Sequence, residues 1–250
     1  EASKLYKTIL KKTPNHWQSL INLYLLYFND SNYLEALPLV TKVIELKPNY
    51  QPALRDQAHV LYRLNKLDSA FKKILLSVKL NPKDHIALNV MGMIYSGFKD
   101  IKNSKRIYEQ AMLLKPSYAP TYSNMAKILI EENNRDSAVK FLKKCLELDP
   151  NFREGINNLA NIYSTSGNPK KAIPLYLKIL NKNEKDPEIN LNIAIAYFFE
   201  KNYDLAEKYF KISEQLIPSD DKFKKNYSLF LLFKQNYKKA WKIGDGRLKL

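Results

Sequence analysis

An amide or carboxyl side chain stands at Asn22, Asp56, Asn124, Asn158, Asn192 and Asn226, all on one 34-residue pitch, with Val90 in the remaining place. A primary amide both donates and accepts hydrogen bonds. A row of them at even spacing can pair with successive peptide N–H and C=O groups. Such a row would hold an extended segment with little regard for its side chains. The competing use is internal, since asparagine also helps to position neighbouring helices. A second group, Arg55, His59 and Arg63, has the i, i+4, i+8 spacing of one helix ridge. Together these residues could clasp a carboxylate or phosphate, arginine in bidentate fashion. The plainer alternative is that the arginines are solvated or paired with Asp56 or Asp68.

Catalytic chemistry has little support. His16, His59 and His85 have no Cys, Asp or His at metal-ligand spacing, and no Gly-rich phosphate loop or nucleophile motif is present. The chain is therefore read as non-enzymatic, with no metal and no cofactor.

The pitch that orders the amides orders the whole chain. Pro14, Pro48, Pro82, Pro116, Pro150 and Pro218 are separated by 34 residues or a multiple of it, and the one empty mark holds Glu184. A second series of the same pitch reads Ala2, Ala36, Ala70, Ser104, Ala138, Ala172, Ala206 and Ala240. A fixed period of this length means that each repeat is one supersecondary unit, burying its apolar face only against its neighbours.

Two helices fit into each period. Leu88, Met91, Gly92 and Tyr95 mark one apolar face, and Ser104, Tyr108 and Ala111 mark a second helix that Pro116 closes. Ile156, Leu159, Ala160 and Tyr163, then Ala172, Tyr176 and Ile179, repeat the pattern. The turn between the two helices carries Gly167, with Asn65 and Asn133 in equivalent places, residues that adopt positive φ most readily. Ala58, Gly92, Ala126, Ala160 and Ala194 mark close approach of the first helix to its partner. Pro52, Pro120 and Pro187 are expected in first turns of first helices, and Pro38, Pro169 and Pro174 at or near the starts of second helices.

This spacing of Leu/Tyr, Gly/Ala, Tyr, Ala, aromatic and Pro resembles the tetratricopeptide repeat (TPR). The resemblance implies an all-α fold, a right-handed superhelix of antiparallel helix pairs. A single array is expected: a lone second helix over 1–16, six full repeats over 17–220 and a partial seventh over 221–250. The position where the family often has tryptophan holds Leu20, Leu54, Leu88, Tyr122 and Ile156, then Asn190 and Lys224.

In this family the first helices line a concave groove where partners bind. The amide row, with Asn161 beside it, resembles the ladder that cradles peptides in O-linked N-acetylglucosamine transferases. The carboxylate clamp of chaperone-binding relatives is matched at Asn161, Asn192 and Lys222. Asn157 and Asn226 stand where cations are expected, which removes most of the charge that would grip a carboxylate. The stretch Leu229 to Phe233, with Tyr237, Trp241 and Arg247, resembles the last repeat of bacterial TPR arrays that precede a glycosyltransferase or sulfotransferase domain. Ala240 replaces the usual glycine there, and Gly244 and Gly246 weaken the final helix. A start at Glu1 in mid-repeat, without Met, predicts a segment of a longer protein that could carry a docked or covalent C-terminal domain.

Composition bounds the remaining possibilities. The net charge is +16. By successive fifties it divides as +2, +4, +3, +1 and +6, so only the last fifty stand out. With Lys72-Lys73, Lys143-Lys144 and Lys238-Lys239 on second helices, the charge reads as a solvated outer face rather than a nucleic-acid surface. No apolar run approaches the roughly 20 residues of a membrane span. The single cysteine, Cys145, reads as a core residue and fits a reducing, cytoplasmic setting. The expected function is a scaffold that binds a protein or peptide segment. The alternative is the substrate-recruiting region of a larger transferase.

Overall fold

The structure is a computed structural model that describes residues 1–244, so Gly246 and Arg247 lie outside the described residues. Among the described residues there are fifteen helices and no strand. The first helices of successive repeats are α2 (Trp17–Asn29), α4 (Gln51–Arg63), α6 (His85–Gly97), α8 (Ala119–Glu131), α10 (Arg153–Thr165), α12 (Pro187–Phe199) and α14 (Asp221–Phe233). The second helices are α1 (Ala2–Lys12), α3 (Tyr33–Leu46), α5 (Leu67–Leu80), α7 (Ile101–Leu114), α9 (Arg135–Leu148), α11 (Pro169–Leu180), α13 (Tyr203–Leu216) and α15 (Tyr237–Ile243).

The small-residue series is the contact between the helices of a pair. Ala36, Ala70, Ser104, Ala138, Ala172, Ala206 and Ala240 are all fully buried. Ala2, on the first helix described, is exposed. How close the backbones come is clearest at Gly92. A Cβ there would overlap the ring of Tyr108. Ser104 Oγ donates to the Gly92 carbonyl at 2.8 Å, so the small hydroxyl is satisfied inside the contact. Cys145 is likewise buried, with its Sγ 2.9 Å from where a Cβ on Gly155 would lie.

Each turn inside a pair uses one residue in the left-handed region. These are Ser31, Asn65, Lys99, Asn133, Gly167, Lys201 and Gln235, again at 34-residue pitch, with φ between 57° and 73°. Asn65, Asn133 and Gly167 are the residue types that reveal this conformation in a sequence. Ser31, Lys99, Lys201 and Gln235 adopt it because the helix pair demands it, at about 1–2 kcal/mol each.

Two prolines depart from the expected position. Pro38 and Pro174 are interior residues of α3 and α11, each the sixth of its helix, rather than helix starts. The first frees the carbonyl of Leu34, a residue 73% exposed, so water can take the place of the missing N–H.

The chain forms two compact units, Glu1–Glu132 and Asn133–Leu250. In the first, α2 to α4 bury Leu20, Tyr24, Val40 and Val43, and α4 to α7 bury Ile74, Leu88, Ile94 and Ile107. In the second, α10 to α12 bury Ile156, Tyr176, Ile189 and Ile193, and α12 to α15 bury Phe210, Phe223, Tyr227 and Phe230. One connection in the second unit differs from the rest. Loops 47–50, 81–84, 115–118, 149–152 and 217–220 have four residues, whereas 181–186 has six, because α11 stops two residues short of its counterparts.

Two substitutions test this account of the repeat. Ala172→Leu should lower stability by roughly 1–3 kcal/mol in urea denaturation, through overpacking of the helix contact. Lys201→Gly should raise it by about 0.5–1 kcal/mol, through relief of a left-handed side-chain residue net of glycine's chain entropy. A Lys201→Gly protein no more stable than the parent would contradict the second expectation.

Candidate functional site: the polar face of the first helices

The amide row does not stand open like a comb. In the second unit it is knitted together. Asn192, only 4% exposed, donates through Nδ2 to Oδ1 of Asn161 at 3.3 Å and of Asn157 at 3.5 Å. Its own Oδ1 accepts from Lys222 Nζ at 2.8 Å. Asn161 also accepts from the Tyr176 hydroxyl at 2.6 Å, and Asn157 donates to Glu188 at 2.8 Å. Asn226 donates back to the Lys222 carbonyl at 2.7 Å. Residues from α10, α11, α12 and α14 thus share one network, and it gathers the three clamp-matching residues Asn161, Asn192 and Lys222. Asn158 is half-buried on α10.

The first unit uses the same device. Asn124 Nδ2 donates to Oδ1 of buried Asn89 at 3.0 Å. The pair Asn89–Asn124 lies two periods before Asn157–Asn192, so one inter-repeat amide contact occurs twice. Asp56 accepts from the Tyr24 hydroxyl at 2.7 Å and from Arg55 Nε at 2.8 Å. Asn22 is exposed and Val90 buried. Exposure therefore varies along the row: Asn22 on α2 is exposed, whereas Asn192 on α12 is buried and paired on both sides.

Arg55, His59 and Arg63 share a ridge but are each engaged elsewhere. Arg55 bridges Asp56 and, at 3.2 Å, Asp84. His59 packs edge-on against Phe28 with ring centroids 4.8 Å apart. Its Nε2 is shut off from solvent without a hydrogen-bond partner, although other parts of the residue are partly exposed. Burial, then the charges of Arg63 and Arg55, push the imidazole down to a pKa of about 4, so it is neutral near pH 7. Arg63 lies over the Tyr33 ring, 4.7 Å from its centroid. Two carboxylates already match the charge of Arg55, and Arg63 is engaged with an aromatic face.

A feature not read from the sequence links two of the N-caps, Asp84 and Asp186, to the preceding repeat. Asp84 caps α6 through the N–H groups of Ile86 and Ala87, and its second oxygen takes Gln51 at 2.8 Å as well as Arg55. Although burial opposes it, hydrogen bonds from Gln51 and Ala87 and the charge of Arg55 hold Asp84 below the usual carboxylate range. Asp186 caps α12 through Ile189 N–H and takes Arg153 at 2.7 and 3.2 Å. Gln51 and Arg153 are three periods apart, as are Asp84 and Asp186, so their common phase was the signal that could have found the device.

With this geometry in place, comparison with known proteins identifies the class. Residues 20–131 match the N-terminal TPR region of Psidin, and tetratricopeptide-repeat descriptions match 119–152, 156–188 and 187–220. The chain belongs to the tetratricopeptide-repeat family. Human protein O-mannosyl-transferase TMTC3 is 25% identical over 72% of this chain and 20% of its own length. Mouse BBSome complex member BBS4 is 24% identical over 96% of this chain and 53% of its own. The chain thus spans a fifth to about half of these relatives. The anaphase-promoting-complex assembly Cut9–Hcn1 contains a chain of the same fold. The TM-score is 0.79 at 16% identity, over 92% of this chain and 46% of that one.

His59 gives this face a pH dependence. Its folded pKa lies below the unfolded value, so its contribution is complete above about pH 6.5 and is lost as pH falls toward 4. Urea denaturation of the parent should lose roughly 2–3 kcal/mol across that window. His59→Phe should flatten the profile there, and an unchanged profile would contradict a buried neutral imidazole.

Proposed function

We propose that this chain is a protein-interaction scaffold whose first helices receive an extended segment of a partner. The observation that supports this most is the polar line along those helices, built from groups that donate and accept. Asn22, Asp56, Asn124, Asn158, Asn161, Asn192 and Asn226 are the residues assigned to it. Their division of labour follows from burial. Asn192, paired on both sides, fixes the network, and half-buried Asn124, Asn158 and Asn161 are the amides that re-pair with a passing peptide backbone. Backbone pairing makes such a face tolerant of partner sequence. No catalytic step is assigned to this chain.

A second reading is favoured by one observation, the resemblance over 72% of this chain to a protein O-mannosyl-transferase. On this reading the repeats recruit substrate for a transferase domain elsewhere in a longer protein. Trp241 and Tyr237, one turn apart on α15 and 49% and 64% exposed, supply an aromatic surface for such a domain. The gene sequence on both sides of this segment discriminates: a sugar- or sulfonate-donor fold on either side supports this reading, and its absence from both removes it.

Both readings share one test. Selection from a displayed library of extended peptides should enrich binders to the parent. The Asn124→Ala/Asn158→Ala variant, which leaves Asn192 in place, should bind them about tenfold more weakly at a temperature where parent and variant are both fully folded. Equal binding by parent and variant would remove the amide line from recognition.

A further inference from the structure

The one connection that breaks the 34-residue lattice also encloses a cavity. Where the other prolines of the series end their repeats, loop 181–186 carries Glu184, and α11 unwinds two residues early. Asn190 replaces the apolar residue found at this place in the earlier repeats. Its Nδ2 holds the loop by donating to the carbonyls of Glu184 at 2.9 Å and Asp186 at 2.8 Å. The longer loop and the shortened helix border a cavity of about 140 Å³, bounded also by the start of α10.

Its chemistry is specific. Ile156 and Ile179 form an apolar floor, Arg153, Lys178 and Lys182 bring three cations, and Asp186 brings one carboxylate. Arg153 gives Nε and Nη2 to Asp186 and has Glu188 3.6 Å from Nη2, which leaves the Nη1 N–H groups over for a further acceptor. Lys178 Nζ donates to the Pro150 carbonyl at 2.6 Å. Lys182 is exposed at the rim and has no ion-pair partner among the described residues. With Glu188 paired to Arg153 just outside the lining, three cations face two carboxylates, and one positive charge, that of Lys182, is left over above an apolar floor.

We propose that this cavity binds a monoanionic carboxylate carried on a short branched aliphatic stem. The stem removes apolar surface from water against Ile156 and Ile179, and the carboxylate takes charge-assisted hydrogen bonds from Lys182 and Arg153. The volume, roughly that of five waters, admits a carboxylate and a few carbons. A phosphate dianion fits less well, because it would place two charges near the Asp186 carboxylate and leave the isoleucine floor without an apolar partner. The carboxylate can belong to a free acid or to the last residue of a partner chain. The site does not depend on the amide line of the first helices, so either can fail without the other.

The test is an amide-detected NMR titration of the full chain with N-acetyl-leucine, N-acetyl-leucinamide and 4-methylpentanoate. N-acetyl-leucine should shift the backbone signals of Asn151, Lys182 and Asn183 and saturate at a roughly millimolar Kd, as expected for so small a ligand. The uncharged leucinamide should bind at least about tenfold more weakly, and Lys182→Gln or Lys182→Glu should weaken the acid by about tenfold without altering the melt. Binding of 4-methylpentanoate equal to that of N-acetyl-leucine assigns the site to free acids; a clear preference for N-acetyl-leucine assigns it to a chain end. Acid and amide binding alike, no shifts at these residues, or Lys182 variants that bind as the parent does would overturn the proposal.

Discussion

The close contact between the two helices of each repeat is the constraint on which the rest depends. It requires a side chain no larger than alanine or serine once per period on the second helix, and those positions are fully buried at Ala36, Ala70, Ser104, Ala138, Ala172, Ala206 and Ala240. It also forces the turn between the helices through a left-handed residue, whichever residue the sequence supplies there. Polar atoms at this contact are handled unequally: Ser104 donates to the carbonyl of Gly92, whereas the hydroxyl of Ser228, at the place matching Gly92 on α14, is buried without a hydrogen-bond partner among the described residues. Once the pairs are fixed, the first helices of successive repeats present equivalent positions to one another, and the chemistry of the chain recurs with the same period.

That recurrence gives the polar groups two tasks. Some fasten one repeat to the next: Asn89 with Asn124, Asn157 with Asn192, and the N-cap aspartates Asp84 and Asp186 with Gln51 and Arg153. Others remain accessible on the same line, as Asn22 does. The internal pairing orients the amides before any ligand arrives, which lowers the ordering cost of binding. On the proposed reading, a peptide would have to compete with these hydrogen bonds, and its recognition would be weak and tolerant of sequence.

The fold was legible because small residues and prolines at fixed phase have few other causes, and the pairing of helices followed directly. The prolines were less legible in detail. Pro38 and Pro174 were expected near helix starts but lie inside α3 and α11, where the residues four positions earlier, Leu34 and Lys170, are exposed. The left-handed residues were visible only where Asn or Gly occupied them; Lys99 and Lys201 carry no such mark. At the polar face the sequence showed which residues share a line but not which of them pair. Arg55 looked available for an anion, yet its carboxylate partners include Asp84, nearly a full period away. The missing proline at Glu184 was visible from the start, but its consequence, a shortened α11 and a cavity, needed coordinates.

The central claim is that the asparagines on this pitch fasten repeats together as well as offering a binding surface. A double-mutant cycle on Asn89 and Asn124, each changed to Ala and followed by urea denaturation, measures it most directly. Their 3.0 Å hydrogen bond predicts a coupling energy of roughly 0.5–1.5 kcal/mol. Losses that add to within about 0.3 kcal/mol would contradict it.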